Sequence, residues 1–262
     1  MTDAFLITCE HGGNRIPAAY LRLFRARRAL LNSHRGWDPG ALVMAKALAG
    51  AFGAPLVAST VSRLLIDLNR SIGNPALFSE ATRGESLATR AKIIEQHYLP
   101  YRAQVESLVG RSISRGLHVV HVSSHSFAPV LDRKVRGADV GLLYHPERRE
   151  EAALCASWKA SLAAFAPGLR VRRNYPYAGK GDGLTNHLRL RYPGSVYVGI
   201  ELEVNQRIIV AAGRRWTALR RILIDSLRSA ASIGPALADP LRPPAPRDAA
   251  PANRLPAKAG LS

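Results

Sequence analysis

Three observations predict an α/β fold. Apolar, β-branched runs alternate with segments of helical period, the runs themselves are nearly uninterrupted in apolar residues, and several of them end on histidine or carboxylate rather than on a simple turn. Strands this apolar, separated by helices, favour a mainly parallel sheet covered on both faces, with ligands bound beyond the strand carboxyl ends. The first strand spans residues 4–9 and is followed by a helix at 18–31. In the helix at 40–52, Leu42, Ala45, Leu48 and Phe52 recur at three- and four-residue steps, which lines one helical face. Further strands are expected at 55–60, 117–124, 140–144, 169–173 and 196–204, and further helices at 86–115, 147–166, 183–191 and 208–231. From about Ile233 the pattern stops, and Pro235, Pro240, Pro243, Pro244, Pro246, Pro251 and Pro256 interrupt any periodicity. Residues 1–232 therefore read as one folded domain and 233–262 as a disordered tail.

A chain of 262 residues is long enough to bury a substantial core in one domain. The net charge of +18 would point to nucleic acid if it were clustered, but it is mostly scattered. The densest basic run is 22–28, while Arg148 and Arg149 are offset by Glu147, Glu150 and Glu151. Neither nucleic acid nor a membrane surface is expected as a partner, and nothing in the sequence fixes an oligomeric state. The two cysteines, Cys9 and Cys155, form no Cys-x-x-Cys pair, which fits a reducing cytoplasm and excludes a disulfide framework. Cys9 closes an apolar run and reads as a small buried hydrophobe rather than a nucleophile. No stretch approaches the ~20 apolar residues of a spanning helix, so a soluble, unexported protein is expected. The segment Gly179-Lys180-Gly181-Asp182-Gly183 lacks the spacing and the Ser/Thr of a phosphate-binding loop.

The chemistry concentrates at three strand ends. His11 follows the first strand and precedes Gly12-Gly13, where missing side chains would let substrate or metal approach the backbone. His125 stands between Ser124 and Ser126 at the end of another strand. Two imidazoles so placed can supply two of the three protein ligands of a catalytic zinc. The third is Asp38, with Glu10 and Asn14 as alternatives; the competing reading of Asp38 is a cap for the helix beginning near Gly40. Glu201 lies in the apolar run Val196-Tyr197-Val198-Gly199-Ile200-Glu201-Leu202-Glu203, where a lone charge would cost several kcal/mol or more unless paired. It is the candidate general base and acid, with Glu203 on the same face by period-two alternation. In Ser62-Arg63-Leu64-Leu65-Ile66-Asp67-Leu68-Asn69-Arg70, the forks of Arg63 and Arg70 with the amide of Asn69 suit a small acidic substrate. The structural alternative is that Asp67 braces one of the arginines.

Taken in order, Glu10-His11-Gly12-Gly13-Asn14-Arg15-Ile16-Pro17, Trp37-Asp38-Pro39-Gly40, the Ser62 to Arg70 segment, Ser124-His125-Ser126-Phe127 and Ile200-Glu201-Leu202-Glu203-Val204-Asn205-Gln206 resemble the N-formylglutamate amidohydrolase family. The resemblance covers roughly residues 4–230. It implies an αβα sandwich around a mixed, mainly parallel sheet, similar to zinc carboxypeptidases, and one zinc or other divalent ion. His11 matches the first ligand histidine and His125 the second, while Asp67-Leu68-Asn69-Arg70 falls on the segment that binds a substrate carboxylate and Glu201 on the catalytic glutamate. Zinc carboxypeptidases take a carboxylate ligand three residues after the first histidine; Asn14 stands there, so the resemblance turns to Asp38, which aligns with an aspartate of the deformylases. The implied reaction is hydrolysis of an N-acyl amino acid, N-formyl-L-glutamate to formate and L-glutamate. His-Gly-Gly-Asn in the first motif, where deformylases of histidine breakdown carry Pro-His-Ser-Gly or Pro-His-Ala-Gly, marks a divergent branch, and a peptidase or deacylase of larger substrates is the alternative.

Overall fold

In the computed structural model, residues 2–210 and 213–231 are described. The expected tail at 233–262, and the domain end at 232, lie outside them. In chain order the elements are β1 (Asp3–Cys9), a 3-10 helix (Ala18–Phe24), α1 (Arg28–Leu31), α2 (Ala41–Phe52), β2 (Leu56–Ala58), α3 (Leu87–Ile93), a π-helical turn (Ile94–Tyr98) and α4 (Leu99–Ser114). There follow β3 (His118–Phe127), β4 (Val130–Leu131), β5 (Lys134–Val135), β6 (Val140–Leu143), α5 (Arg149–Phe165), β7 (Val171–Arg173), α6 (Leu184–Arg189), β8 (Tyr197–Asn205), α7 (Gln206–Val210) and α8 (Arg214–Ala230).

Six strands make one sheet in the order β2-β1-β3-β8-β6-β7. The first four are parallel to one another, β6 joins β8 antiparallel, and β7 runs parallel to β6, so the sheet is mixed and mainly parallel. Alternation along the strands sends side chains into two cores. Phe5, Ile7, Val122, Ile200 and Leu202 pack beneath α2, α5 and α8 with Met44, Leu48, Trp158 and Leu223. Leu6, Val119 and Tyr197 face the other way, against Tyr101, Val105 and Val109 of α4 and Leu184 and Leu188 of α6. Helices on both faces of one sheet make the αβα sandwich. In α2 the buried positions Ala41, Met44, Ala45 and Leu48 keep the i, i+3, i+4, i+7 spacing that faces a sheet.

Two expected helices are interrupted, each for a local reason. Along 18–31 only Tyr20, Leu23 and Phe24 are buried, and Arg22, Arg25 and Arg28 recur three residues apart, which stacks like charge on one helical face. The expected last helix is broken at Gly213, whose φ of 73° belongs to the left-handed region that glycine enters freely. The β4–β5 hairpin was not anticipated; its turn residues Asp132 and Arg133 both have positive φ, without the Asn-Gly pair that announces such turns. No helix among the described residues is long and apolar enough to cross a membrane.

Candidate active site

Beyond the carboxyl ends of β1, β3 and β8 the sheet opens into a cleft of about 570 Å³. Among its lining residues are His11, Asp38, His125, Glu201, Arg63, Asn69 and Arg70, whereas the alternative ligands Glu10 and Asn14 are not. His11 is held there by backbone: Gly12 N–H donates to Ser59 O, Arg15 N–H to Thr60 O, and Asp38 N–H to the carbonyl of His11 itself. Gly12 and Gly13 admit this neighbouring segment rather than a ligand. A Cβ on them would stand 2.9 Å from Ser59 O and 2.7 Å from Thr60 O, closer than carbon and oxygen tolerate. On β3, the hydroxyls of Ser124 and Ser126 donate to Ala41 O and Pro39 O, fastening the strand to the loop that carries Asp38. Asp38 does not cap α2. Gly40 takes the N-cap position without a side-chain bond, and the Asp38 carboxylate turns into the cleft.

There Asp38 Oδ2 lies 3.4 Å from His11 Nδ1 and 2.9 Å from His125 Nδ1. One donor atom from each of the three residues falls within 4.8 Å of the others. Tetrahedral zinc bonds of about 2.0–2.1 Å would put neighbouring donors roughly 3.3 Å apart, so the buried set fits such an ion. The far nitrogens are also occupied. His11 Nε2 is 2.7 Å from Asp67 Oδ1, and His125 Nε2 is 3.0 Å from Glu10 Oε2. Imidazoles backed by carboxylates are oriented and made better donors, so Glu10 supports His125 instead of competing for a metal. Asn14, the remaining alternative, faces outward and donates to Asn32.

Electrostatics follow from this packing. Burial alone would raise the carboxyl pKa values of Glu10, Asp38 and Asp67, but hydrogen bonds and nearby positive charge outweigh it and hold all three below their ordinary range. The positive partners are His125 for Glu10, His11 and Arg63 for Asp38 and Asp67. Burial disfavours a charged His125 too, yet its bonds to Asp38 and Glu10 prevail and its pKa is raised.

A model of the N-formylglutamate amidohydrolase family matches residues 3–210. The chain belongs to that family. A solved structure similar to this member is gene product Atu2144 from Agrobacterium tumefaciens, with a TM-score of 0.73 at 29% identity over 87% of this chain and 90% of that one. N-formylglutamate amidohydrolase from Ralstonia eutropha JMP134 has a similar fold, with a TM-score of 0.62 at 20% identity over 88% of this chain and 94% of that one. No curated protein matches the sequence. Amide hydrolysis is the family's chemistry.

The two arginines of this amidohydrolase differ in their surroundings. Arg63 Nη2 lies 2.7 Å from Asp67 Oδ2 and Nη1 3.5 Å from Asp38 Oδ1, so Arg63 braces the carboxylates that meet His11 and His125. Arg70 Nη1 donates only to the carbonyls of Asn69 and Asp182, and among the described residues no carboxylate lies within ion-pairing distance of it. Asn69 Oδ1 accepts from Leu184 N–H, which leaves its amide NH2 toward the cleft it lines. The two carboxylates of β8 differ as well. Glu201 Oε1 accepts from the Thr185 hydroxyl at 2.9 Å. Glu203, 5% exposed, pairs in register with His125, and its Oε2 has no hydrogen-bond partner. Burial pushes the Glu203 carboxyl up to about 8, with His125 acting to lower it and Asp38 and Glu201 to raise it. Sequence spacing put Glu201 and Glu203 on one face but held nothing to separate them. The backing roles of Glu10 and Asp67 were equally hidden, because which ring nitrogen meets which carboxylate is decided between segments far apart in the chain.

Proposed function

We propose that this chain is a metal-dependent amidohydrolase that cleaves the amide of an N-acyl amino acid, with N-formyl-L-glutamate to formate and L-glutamate as the reference reaction. The observation that carries this reading is the convergence of His11, Asp38 and His125 at the floor of a cleft that also holds an unpartnered buried glutamate. Two imidazoles and a carboxylate suit zinc, and the same donors accept other divalent ions. Bound there, the ion would supply Lewis acidity, polarising the amide carbonyl and acidifying water.

The remaining work falls to side chains. Asn69 and Arg70 hold the substrate carboxylate, while Arg63, committed to Asp67 and Asp38, keeps the ligands in place. The base role expected of Glu201 passes in this proposal to Glu203, whose carboxylate senses the charges of His125 and Asp38. Ionised, as the charge of a bound divalent ion would favour, the Glu203 carboxylate takes a proton from water as the water oxygen adds to the acyl carbon. It returns that proton to the departing nitrogen when the carbon–nitrogen bond breaks, giving acid and amine. A second recess of about 540 Å³ shares His34, Arg63 and Tyr177 with the cleft, which supports a second reading in which the acyl group is larger than formyl. We place the enzyme in a reducing cytoplasm, acting on a small soluble substrate.

Metal analysis of the purified protein, with formate release from N-formyl-L-glutamate measured before and after chelation, tests the proposal. About one zinc per chain is expected, with activity lost on chelation and restored by zinc. Absence of bound metal together with no hydrolysis of any acyl-amino acid would overturn it.

A further inference from the structure

Few of the cleft's own side chains are cationic, although the whole chain has a net charge of +18. Its arginines are Arg63 and Arg70, and its carboxylates are Asp38, Asp182, Glu201 and Glu203. Several of these are already satisfied. Arg63 is neutralised by Asp67 and Asp38, and Asp38 faces the two histidines. Asp182 accepts from Ser71 N–H at 2.9 Å and from Asn74 Nδ2 at 2.6 Å. Apart from an ion held by His11, Asp38 and His125, what remains for the outlying groups of a substrate is one cation, Arg70, beside Glu201 and the buried Glu203.

The proposed reaction needs a single proton carrier, and Glu203 fills that role with its buried, unpartnered oxygen. Glu201 is then left as a charge facing the substrate. It stands close to the carboxylate anchor: a Cβ on Gly183 would lie 3.2 Å from Glu201 Oε1 and 3.0 Å from Asn69 Oδ1, so the two side chains flank one glycine. Thr185 fixes Glu201 by binding one oxygen, which leaves the other to the cleft. An anion in this position repels a second substrate carboxylate and attracts an ammonium group.

We propose that Glu201 pairs with a cationic amine of the substrate, beside the carboxylate held by Arg70, so that this enzyme prefers acylated diamino acids to N-formyl-L-glutamate. The inference rests on the amidohydrolase reading above and names the substrate class of that site.

Two measurements on the full-length protein test it. Formate release by the zinc-loaded enzyme is compared for N-formyl-L-glutamate, Nα-formyl-L-lysine and Nε-formyl-L-lysine, in the wild type and in Glu201→Gln. At least one lysine derivative is expected to exceed N-formyl-L-glutamate about tenfold or more in kcat/KM, and Glu201→Gln is expected to erase that advantage mainly through KM. Calorimetry with L-lysine and L-glutamate then reads the same preference without chemistry, again lost in the variant. A wild type that favours N-formyl-L-glutamate, or treats the substrates alike, overturns the inference and leaves the amidohydrolase reading standing. So does a Glu201→Gln protein that binds both amino acids as the wild type does, or one that binds normally and has lost kcat on every substrate, since Glu201 would then be the proton carrier. If no amide is hydrolysed at all, the amidohydrolase reading falls, and the calorimetric preference still decides the role of Glu201.

Discussion

On one face of β1, β3 and β8 lie Ile7, Cys9, Val122, Ile200 and Leu202, all essentially inaccessible to water. One residue along each strand, on the other face, lie Thr8, Glu10, Ser123, His125, Glu201 and Glu203. The apolar face gains from burial in proportion to area and needs no partners. The polar face is also largely buried, so each group there must find a hydrogen bond or incur the cost of desolvation. Almost all do. The Ser123 hydroxyl donates to Glu10, Tyr101 donates to Glu10 from α4, and His121 lies 2.8 Å from both Thr8 Oγ1 and the Tyr197 hydroxyl. Burial pushes the pKa of His121 down to about 4, so this imidazole stays neutral within the network. The exception is Glu203 Oε2. A network so well satisfied, with one group left open toward a cleft, is organised around what enters the cleft.

The largest expected effect lies on the polar face. Glu203→Gln keeps the size and most of the packing of the side chain but cannot take a proton from water. Loss of a positioned general base and acid lowers kcat by roughly 10² to 10⁴-fold. Steady-state kinetics, with metal content checked in the same preparation, reads this. A variant that retains metal and near wild-type kcat would return the base role to Glu201.

Its neighbour in sequence gives the opposite signature. Leu202 lies between the two glutamates and points into the core shared by α2, α5 and α8. Leu202→Ala removes buried methyl groups and leaves a cavity, at a cost of about 2–5 kcal/mol. Chemical denaturation is expected to report that loss, while kcat/KM stays near the wild-type value at temperatures where the variant remains folded. A large drop in activity without a loss of stability would mean that the two faces are not independent.

The alternation behind this division was readable in the sequence because strands have a period of two and each carries its pattern locally. All six strands of the main sheet were anticipated, β3 continuing to Phe127, beyond the expected end at 124. The site was readable as a set of residues and less so as a set of roles. His11 and His125 could be named because each closes a strand-like run, and Asp38, on the loop before α2, because the family resemblance pointed to it. The divergence of Arg63 from Arg70, by contrast, depends on Asp67 reaching the first and not the second, and both lie within four residues of it. Gly12 and Gly13 illustrate the same limit: a glycine signals close approach, but only the fold shows that the approaching group is the backbone of Ser59 and Thr60.

At the start of the apolar face the sheet carries one ionic pair, and it yields the smallest effect. Asp3 and His118 are register partners on β1 and β3, with Asp3 Oδ1 2.7 Å from His118 Nδ1. The Asp3 hydrogen bond raises the pKa of His118 above its ordinary value, against partial burial, which lowers it. A folded-state pKa above the unfolded one means that protonation favours the fold. The contribution is complete below the unfolded value of about 6.5 and disappears as pH rises through the higher folded value. With both side chains partly open to solvent, screening limits the pair to about 1 kcal/mol or less. His118→Asn is therefore expected to lower stability slightly in denaturation at pH 5.5 and to have less effect at pH 9, where the imidazole is neutral. An equal loss at both pH values would show that His118 acts through packing and neutral hydrogen bonding alone. The ionic pair would then add nothing to a face whose stability comes from its apolar side chains.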